Sequence, residues 1–144
     1  MNRFLRQAVV ALLFVGGLAA AGEAARAEPT QKNRIVIQVT EGDTKKWNAI
    51  LGNIHNIQAE LGGQGVEIAV VAIGDGLGML SEDSLAANRV MDAINDKVRF
   101  VACGNSMKAK PMAPDELIRG VSVAPAGYVE IMRLQQQGWV YIRP

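Results

Sequence analysis

Apolar and polar positions along the chain recur with two periods, and the alternation between them sets out the fold. Arg34 to Thr40, Arg-Ile-Val-Ile-Gln-Val-Thr, is β-branched and predicts a first strand. Glu41-Gly42-Asp43 turns the chain, and Asp43 or Thr44 can cap the helix that follows. From Lys45 to Leu61 the apolar residues are Trp47, Ile50, Leu51, Ile54, Ile57 and Leu61, and their spacing of three and four predicts an amphipathic helix. Gly62-Gly63 ends it. Val66 to Ile73 is nearly all apolar after Glu67, which suits a strand covered on both faces, as in a parallel sheet.

Ser84 to Asp96 predicts a second long helix, with Leu85, Val90, Met91 and Ile94 inward and Asn88, Arg89 and Asp92 outward. Val98 to Cys103 is a third strand. Lys108 to Arg119, with Pro111 and Pro114, reads as a loop plus one helical turn starting near Pro114. Gly120 to Val123 gives a short fourth strand. Pro125 to Gln137 predicts a helix through Val129, Ile131, Met132 and Leu134, stopped by Gly138, and Trp139 to Ile142 a closing strand. Strands and helices thus alternate, and right-handed crossovers place helices on both faces of a parallel sheet. The expected fold is a three-layer α/β/α domain with a five-stranded parallel sheet over residues 28–144.

Residues 1–27 have a different character. Arg3 and Arg6 precede the uncharged run Ala8 to Ala21, and Ala25-Arg26-Ala27 ends it, the three-part layout of a cleaved signal peptide. The run is shorter than the ~20 residues of a membrane-spanning helix. The expected product is periplasmic, starts at Glu28 with a polar lead-in to Asn33, and has no membrane attachment. Taking Arg3, Arg6, Arg26 and Glu23 from the 15 basic and 14 acidic residues leaves 12 and 13. That balance offers no basic excess to attract nucleic acid or anionic lipid.

The chemistry centres on Cys103, the one cysteine among 144 residues. It ends a strand, where ligands collect in parallel α/β sheets, yet cysteine is also a common buried hydrophobe. Gly104 and Asn105 break the strand, and Ser106 can cap the next helical turn. The N–H groups of Gly104, Asn105 and Ser106 would favour a thiolate, and Lys108 could add positive charge, although Lys108 and Lys110 fit a solvated loop better. Gly74-Asp75-Gly76-Leu77-Gly78 resembles a phosphate-cradling loop only in its glycines. No Lys-Ser or Lys-Thr follows and the dinucleotide spacing is absent, so a sharply turning backbone is the better account. His55, the one histidine, lies beside the apolar stripe of its helix, a place for a surface or interface residue rather than a partner for the thiol. One cysteine and one histidine make a poor metal site, and the scattered methionines read as core filler. No cofactor motif is present.

Several stretches together resemble a known family: Arg34-Ile-Val-Ile-Gln-Val, Lys46-Trp47-Asn48, Ala72 to Leu80, Phe100-Val-Ala-Cys-Gly-Asn-Ser-Met107, and Pro125-Ala-Gly-Tyr-Val-Glu-Ile131. They are similar, in order and without large gaps, to the DsrE/DsrF-like family and its small single-domain members. The resemblance implies a five-stranded parallel sheet and homo-oligomers, whether dimer, trimer or hexamer. It also implies a role as sulfur-relay protein with a persulfide on the cysteine at the position of Cys103, exchanged with a sulfur donor or acceptor protein or small sulfur compound. The best-understood relay members are cytoplasmic, which this chain's leader does not match. Three functions follow in order. The first is a carrier or sulfurtransferase-like protein acting through Cys103, with Gly104, Asn105, Ser106, Lys108, Gly74 and Gly76 around it. The second is a non-catalytic oligomeric module that binds a small ligand or protein. The third, a redox or hydrolytic enzyme, lacks a second cysteine or a triad.

Overall fold

The structure, a computed structural model, describes residues 32–144. The expected signal peptide and most of the polar lead-in lie outside these residues. Five strands and four α-helices follow in alternation: β1 (Asn33–Val39), α1 (Thr44–Leu61), β2 (Val66–Ala72), α2 (Ala87–Asn95), β3 (Arg99–Cys103), α3 (Gly104–Ala109), β4 (Ser122–Ala124), α4 (Gly127–Gln136) and β5 (Val140–Ile142). Two 3-10 helices, Gly74–Leu80 and Pro114–Glu116, complete the order. The sheet runs β4-β3-β2-β1-β5 and every pair is parallel. No described helix is long and apolar enough to cross a membrane.

Side chains of a strand alternate between faces, so each central strand feeds two cores. Ile37, Val39, Ile68, Val70, Ala72, Phe100 and Ala102 point to one face, where they pack with Trp47, Ile50, Leu51 and Ile54 of α1 and Val90 and Ala93 of α2. Val36, Ala69, Val71, Ile73, Val101 and Cys103 point to the other, where Ile131 and Leu134 of α4 cover them. The result is the expected three-layer α/β/α arrangement. Asp43 caps α1 by accepting from the Lys45 N–H at 2.8 Å. Trp47 is locked by its indole N–H, which donates to the Glu41 carbonyl at 2.7 Å.

Several expectations need correction. The Gly74–Gly78 stretch turns sharply as expected, but as the start of a 3-10 helix rather than a loop, with Leu77, Met79 and Leu80 fully buried. The second long helix starts at Ala87 rather than Ser84, and Leu85 is 86% exposed. Val90 and Ile94 turn inward as expected, but Met91, Val129 and Met132 face outward, and the small Ala86 and Ala93 complete the close contacts of the α2 region. Gly104 and Asn105 do not separate strand from helix, because α3 begins directly after Cys103.

The connections explain where the site forms. After β1, β2 and β3 the chain crosses on the first face, and after β4 it crosses on the second through α4. The routes therefore diverge between the carboxyl ends of β3 and β4, the switch point at which open α/β sheets form a crevice. Cys103 and its register partner Ala124 sit at that place.

Candidate functional site

Cys103 ends β3 on the face covered by α4 and is 4% exposed. Its sulfur accepts a hydrogen bond from the Gly127 N–H at 3.2 Å. Gly127 is the first residue of α4, so the donor is one of the N–H groups a helix start leaves without an intrahelical partner. The approach depends on glycine. A Cβ at Gly127 would sit 2.7 Å from the Ile73 Cγ1 and 3.0 Å from the Cys103 Cβ, so any other side chain must displace Ile73 or move α4 away from the thiol. The loop is pinned from the other direction, where the Asn105 N–H donates to the Pro125 carbonyl at 3.1 Å.

Burial pushes the Cys103 thiol up. The Ser106 side chain, the Gly127 N–H and the N–H groups of Ser106 and Asn105 pull it down further, leaving it below the ordinary thiol value. Those donors stabilise the sulfur anion, and no cationic side chain is among the causes. The lone thiol thus gains anionic character from two helix starts and one hydroxyl.

Ser106 does not cap α3 as expected; Cys103 occupies the cap position. Instead the Ser106 hydroxyl oxygen accepts from the Gly74 N–H at 2.9 Å. A hydroxyl that accepts there keeps its own proton for the sulfur. Gly74 is left-handed, with φ +61°, and aims its N–H at Ser106 from the start of the 3-10 helix. Gly76 stands further back. A Cβ on it would lie 2.2 Å from the Val39 carbonyl oxygen, so it lets the 3-10 helix lie against the end of β1 and does not line the Cys103 pocket.

That pocket, about 270 Å³, is lined by Ile73, Cys103, Asn105, Ser106, Ala109, Ala126, Gly127 and Tyr128. Lys108 points elsewhere. It lies on the opposite side of α3, in a larger apolar groove with Met107, Pro111 and Met112. Lys110 pairs with Asp75 at 2.5 Å, tying α3 to the 3-10 helix above the Ser106–Gly74 bond. His55 is exposed on α1 and borders a groove with Asp92 and Asp96 of the α2 region, not the cysteine pocket. Among the described residues no three His, Cys, Asp or Glu side chains gather to hold a metal ion.

The family model described as the DsrE/DsrF-like family matches residues 33–144, the whole sheet and all four helices. The chain belongs to that family. A protein of unknown function from Methanobacterium thermoautotrophicum is 37% identical over 78% of this chain and 99% of its own, with a TM-score of 0.75. A conserved protein of unknown function from Bacteroides thetaiotaomicron shares the fold at 13% identity and a TM-score of 0.66, covering 81% of this chain and 99% of its own. The ychN protein from E. coli does so at 14% identity and 0.63, covering 78% and 99%. No curated protein matches the chain significantly.

Three residues at this DsrE-like site escape the sequence reading: Gly127, Tyr128 and Gln38. Gly127 and Tyr128 were visible as Pro-Ala-Gly-Tyr at a helix start, but nothing in the order of residues says that this helix start meets the end of β3. Gln38 is the polar interruption in Ile-Val-Ile-Gln-Val. It is 4% exposed, and both ends of its amide meet tyrosine hydroxyls.

Proposed function

We propose that the protein is a sulfur carrier that holds a persulfide on Cys103. The observation that carries this reading is the ring of donors around one sulfur: the Gly127 N–H at 3.2 Å, the Ser106 hydroxyl and the α3 N–H groups. A thiolate held this way is a nucleophile, and the same donors suit the persulfide anion that replaces it. In the transfer step the Cys103 thiolate attacks the terminal sulfur of a donor persulfide, R–S–SH. The Cys103–sulfur bond forms, the donor's S–S bond breaks, and the electron pair leaves on R–S⁻. Cys103 then carries –S–SH, and no external oxidant or reductant is needed. The reverse attack, by an acceptor thiolate on the terminal sulfur, unloads it. The pocket is large enough for one or two added sulfur atoms, and Cys103 needs no second cysteine because it relays sulfur and forms no internal disulfide.

The reading extends to setting. The leader pattern of residues 1–27 supports export to the periplasm, where an unpaired, activated thiol needs shielding, and the low exposure of Cys103 supplies it. The apolar surface of α4 and of the edge strand β5 supports a homo-oligomer. Val129 and Met132 of α4 and all three residues of the edge strand β5 are exposed and apolar or aromatic, a patch that a second copy would cover.

The burial of Cys103 also favours a second reading, a binding module in which the sulfur only packs. Intact-mass spectrometry separates the two. Incubation with polysulfide is expected to add about 32 Da per sulfur atom, removable by reductant and absent in Cys103→Ser. Labelling of Cys103 only after denaturation, with no native adduct, would leave the binding module.

A further inference from the structure

Beyond the donors fixed around Cys103, the pocket is lined by Tyr128, whose hydroxyl is hydrogen-bonded to Gln38 in the sheet. Gln38 is the one buried polar side chain of the described core. It lies on the cysteine face of β1, two residues beyond Val36 of the α4-covered core. The Tyr141 hydroxyl, on the neighbouring strand β5, donates to its Oε1 at 2.5 Å. Its Nε2 donates to the Tyr128 hydroxyl oxygen in a longer, 3.4 Å bond. An amide has one acceptor end and one donor end, and a phenol has one proton. With Tyr141 occupying the acceptor end, only the donor end is left for Tyr128. The Tyr128 oxygen is thereby engaged as an acceptor, and its proton is free for a third partner. No described residue takes that proton, and Tyr128 lines the Cys103 pocket.

We propose that Tyr128 presents its hydroxyl proton to an anion held in the Cys103 pocket, and that Gln38, clamped by Tyr141, is the positioning residue that sets this polarity. The identity of the anion as the terminal sulfur of a Cys103 persulfide rests on the carrier reading above; the donor assignment does not. The arrangement divides the labour. Gly127 and Ser106 hold the sulfur bonded to the chain, and Tyr128 holds the atom beyond it. A donor on the outer sulfur would prolong the loaded state and favour anionic over neutral sulfur compounds.

Substitution at Gln38 can reverse the polarity without removing either tyrosine. Glutamate at that position offers only acceptors, so both hydroxyls donate to it and the Tyr128 proton turns away from the pocket. Leucine removes the tether but leaves the proton free. The test compares native-state alkylation of Cys103 by anionic iodoacetate and by neutral iodoacetamide, in wild type, Tyr128→Phe, Gln38→Glu, Gln38→Leu and Tyr128→Phe/Gln38→Glu. Taking the ratio of the two rates cancels changes in thiol basicity and pocket opening. A hydrogen bond to a charged group predicts a ratio lower by roughly tenfold in Tyr128→Phe and in Gln38→Glu, no further loss in the double variant, and a change within about twofold in Gln38→Leu. A wild-type ratio in Tyr128→Phe overturns the proposal. So does a Gln38→Leu ratio that falls as far as that of Gln38→Glu, which would make Gln38 a packing residue. Tyr128 is largely exposed, so its phenylalanine variant keeps the test open even if a Gln38 variant fails to fold. The lifetime of the polysulfide adduct is followed in the same proteins. An adduct that decays faster in Tyr128→Phe extends the assignment to sulfur. A wild type that alkylates with the predicted pattern but takes up no sulfur would sink the carrier reading and leave the donor assignment standing.

Discussion

The two faces of the sheet are built to different standards. The first is closed by α1, α2 and the 3-10 helix Gly74–Leu80, and holds the large buried side chains Phe100, Leu77, Met79 and Ile54. The second is covered by α4 alone, through Ile131 and Leu134, and it carries Cys103 and Gln38. One face supplies stability and the other, with less to bury, has room for a polar pocket and an uncovered apolar margin. A thin layer serves chemistry here: α4 packs on the sheet through Ile131 and Leu134, and its first residue, Gly127, comes close enough to donate to the sulfur.

Truncation should expose this asymmetry most strongly. Phe100→Ala in the thick layer should cost about 3–5 kcal/mol, with little room for neighbours to collapse. Ile131→Ala in the thin layer should cost nearer ~2 kcal/mol, because one helix can settle against the sheet. Urea denaturation of both variants measures the gap. Equal losses would mean that α4 is as deeply embedded as α1, and the contrast between the faces would fail.

Gly127→Ala is next in size. The new methyl must displace Ile73 or lift α4, an overpacking cost of about 1–3 kcal/mol. The informative readout is local. Lifting α4 lengthens the N–H to sulfur contact, so the pH midpoint of Cys103 alkylation should rise. A variant that loses stability but keeps the wild-type midpoint would show that Gly127 shapes the core without serving the thiol.

How much of this was legible in the sequence follows from the same division. Strands of the thick core announced themselves, because burial on both faces leaves an unbroken apolar run such as Val66 to Ile73. The α1 phase was equally plain, since its large residues all turn inward. On α2 and α4 the rule misled. Leu85, Met91, Val129 and Met132 are hydrophobic yet exposed, and the alanines Ala86 and Ala93 join Val90 in the inward contacts near α2. Hydropathy weights a large side chain above a small one, whereas close packing selects the small one. Cys103 was readable as a strand-end residue, a property of local order. Its donor Gly127 lies 24 residues away and is brought in by the change of face after β4, which no local pattern encodes. Lys108 failed for a simpler reason: α3 is helical from Gly104, and that turns residue 108 to the side away from the thiol.

Ser106→Ala tests the hydroxyl that joins the two halves of the site. It leaves the Gly74 N–H without its acceptor, at a cost of about 1–2 kcal/mol, and removes the largest of the causes that lower the thiol. The alkylation midpoint should rise, as for Gly127→Ala, but with a smaller loss of stability. The wild-type thiol also ties stability to pH. Because its folded value lies below the unfolded one, the folded state binds fewer protons between the two. Stability should therefore rise with pH across that window, be fully gained above the ordinary thiol range, and be lost as pH falls through the folded value. Cys103→Ser should flatten that slope. An unchanged slope in the serine variant would assign the pH dependence to other groups.

The smallest effect is expected at the Lys110–Asp75 pair, and it separates stability from function most finely. The two side chains are 43% and 69% exposed, so solvent screens the attraction despite the 2.5 Å contact. Asp75→Asn should cost less than ~1 kcal/mol, and less again at high salt. The pair nevertheless spans the same two elements as the Ser106–Gly74 bond, the start of the 3-10 helix and the end of α3. If it only decorates the surface, Asp75→Asn and Ser106→Ala should shift the alkylation midpoint additively, with the aspartate contributing nothing. If it holds α3 in register over the pocket, the double variant should depart from additivity, because both contacts restrain one movement. A coupling there would place the first control of the thiol on the surface of the thick face, outside the layer that carries the cysteine.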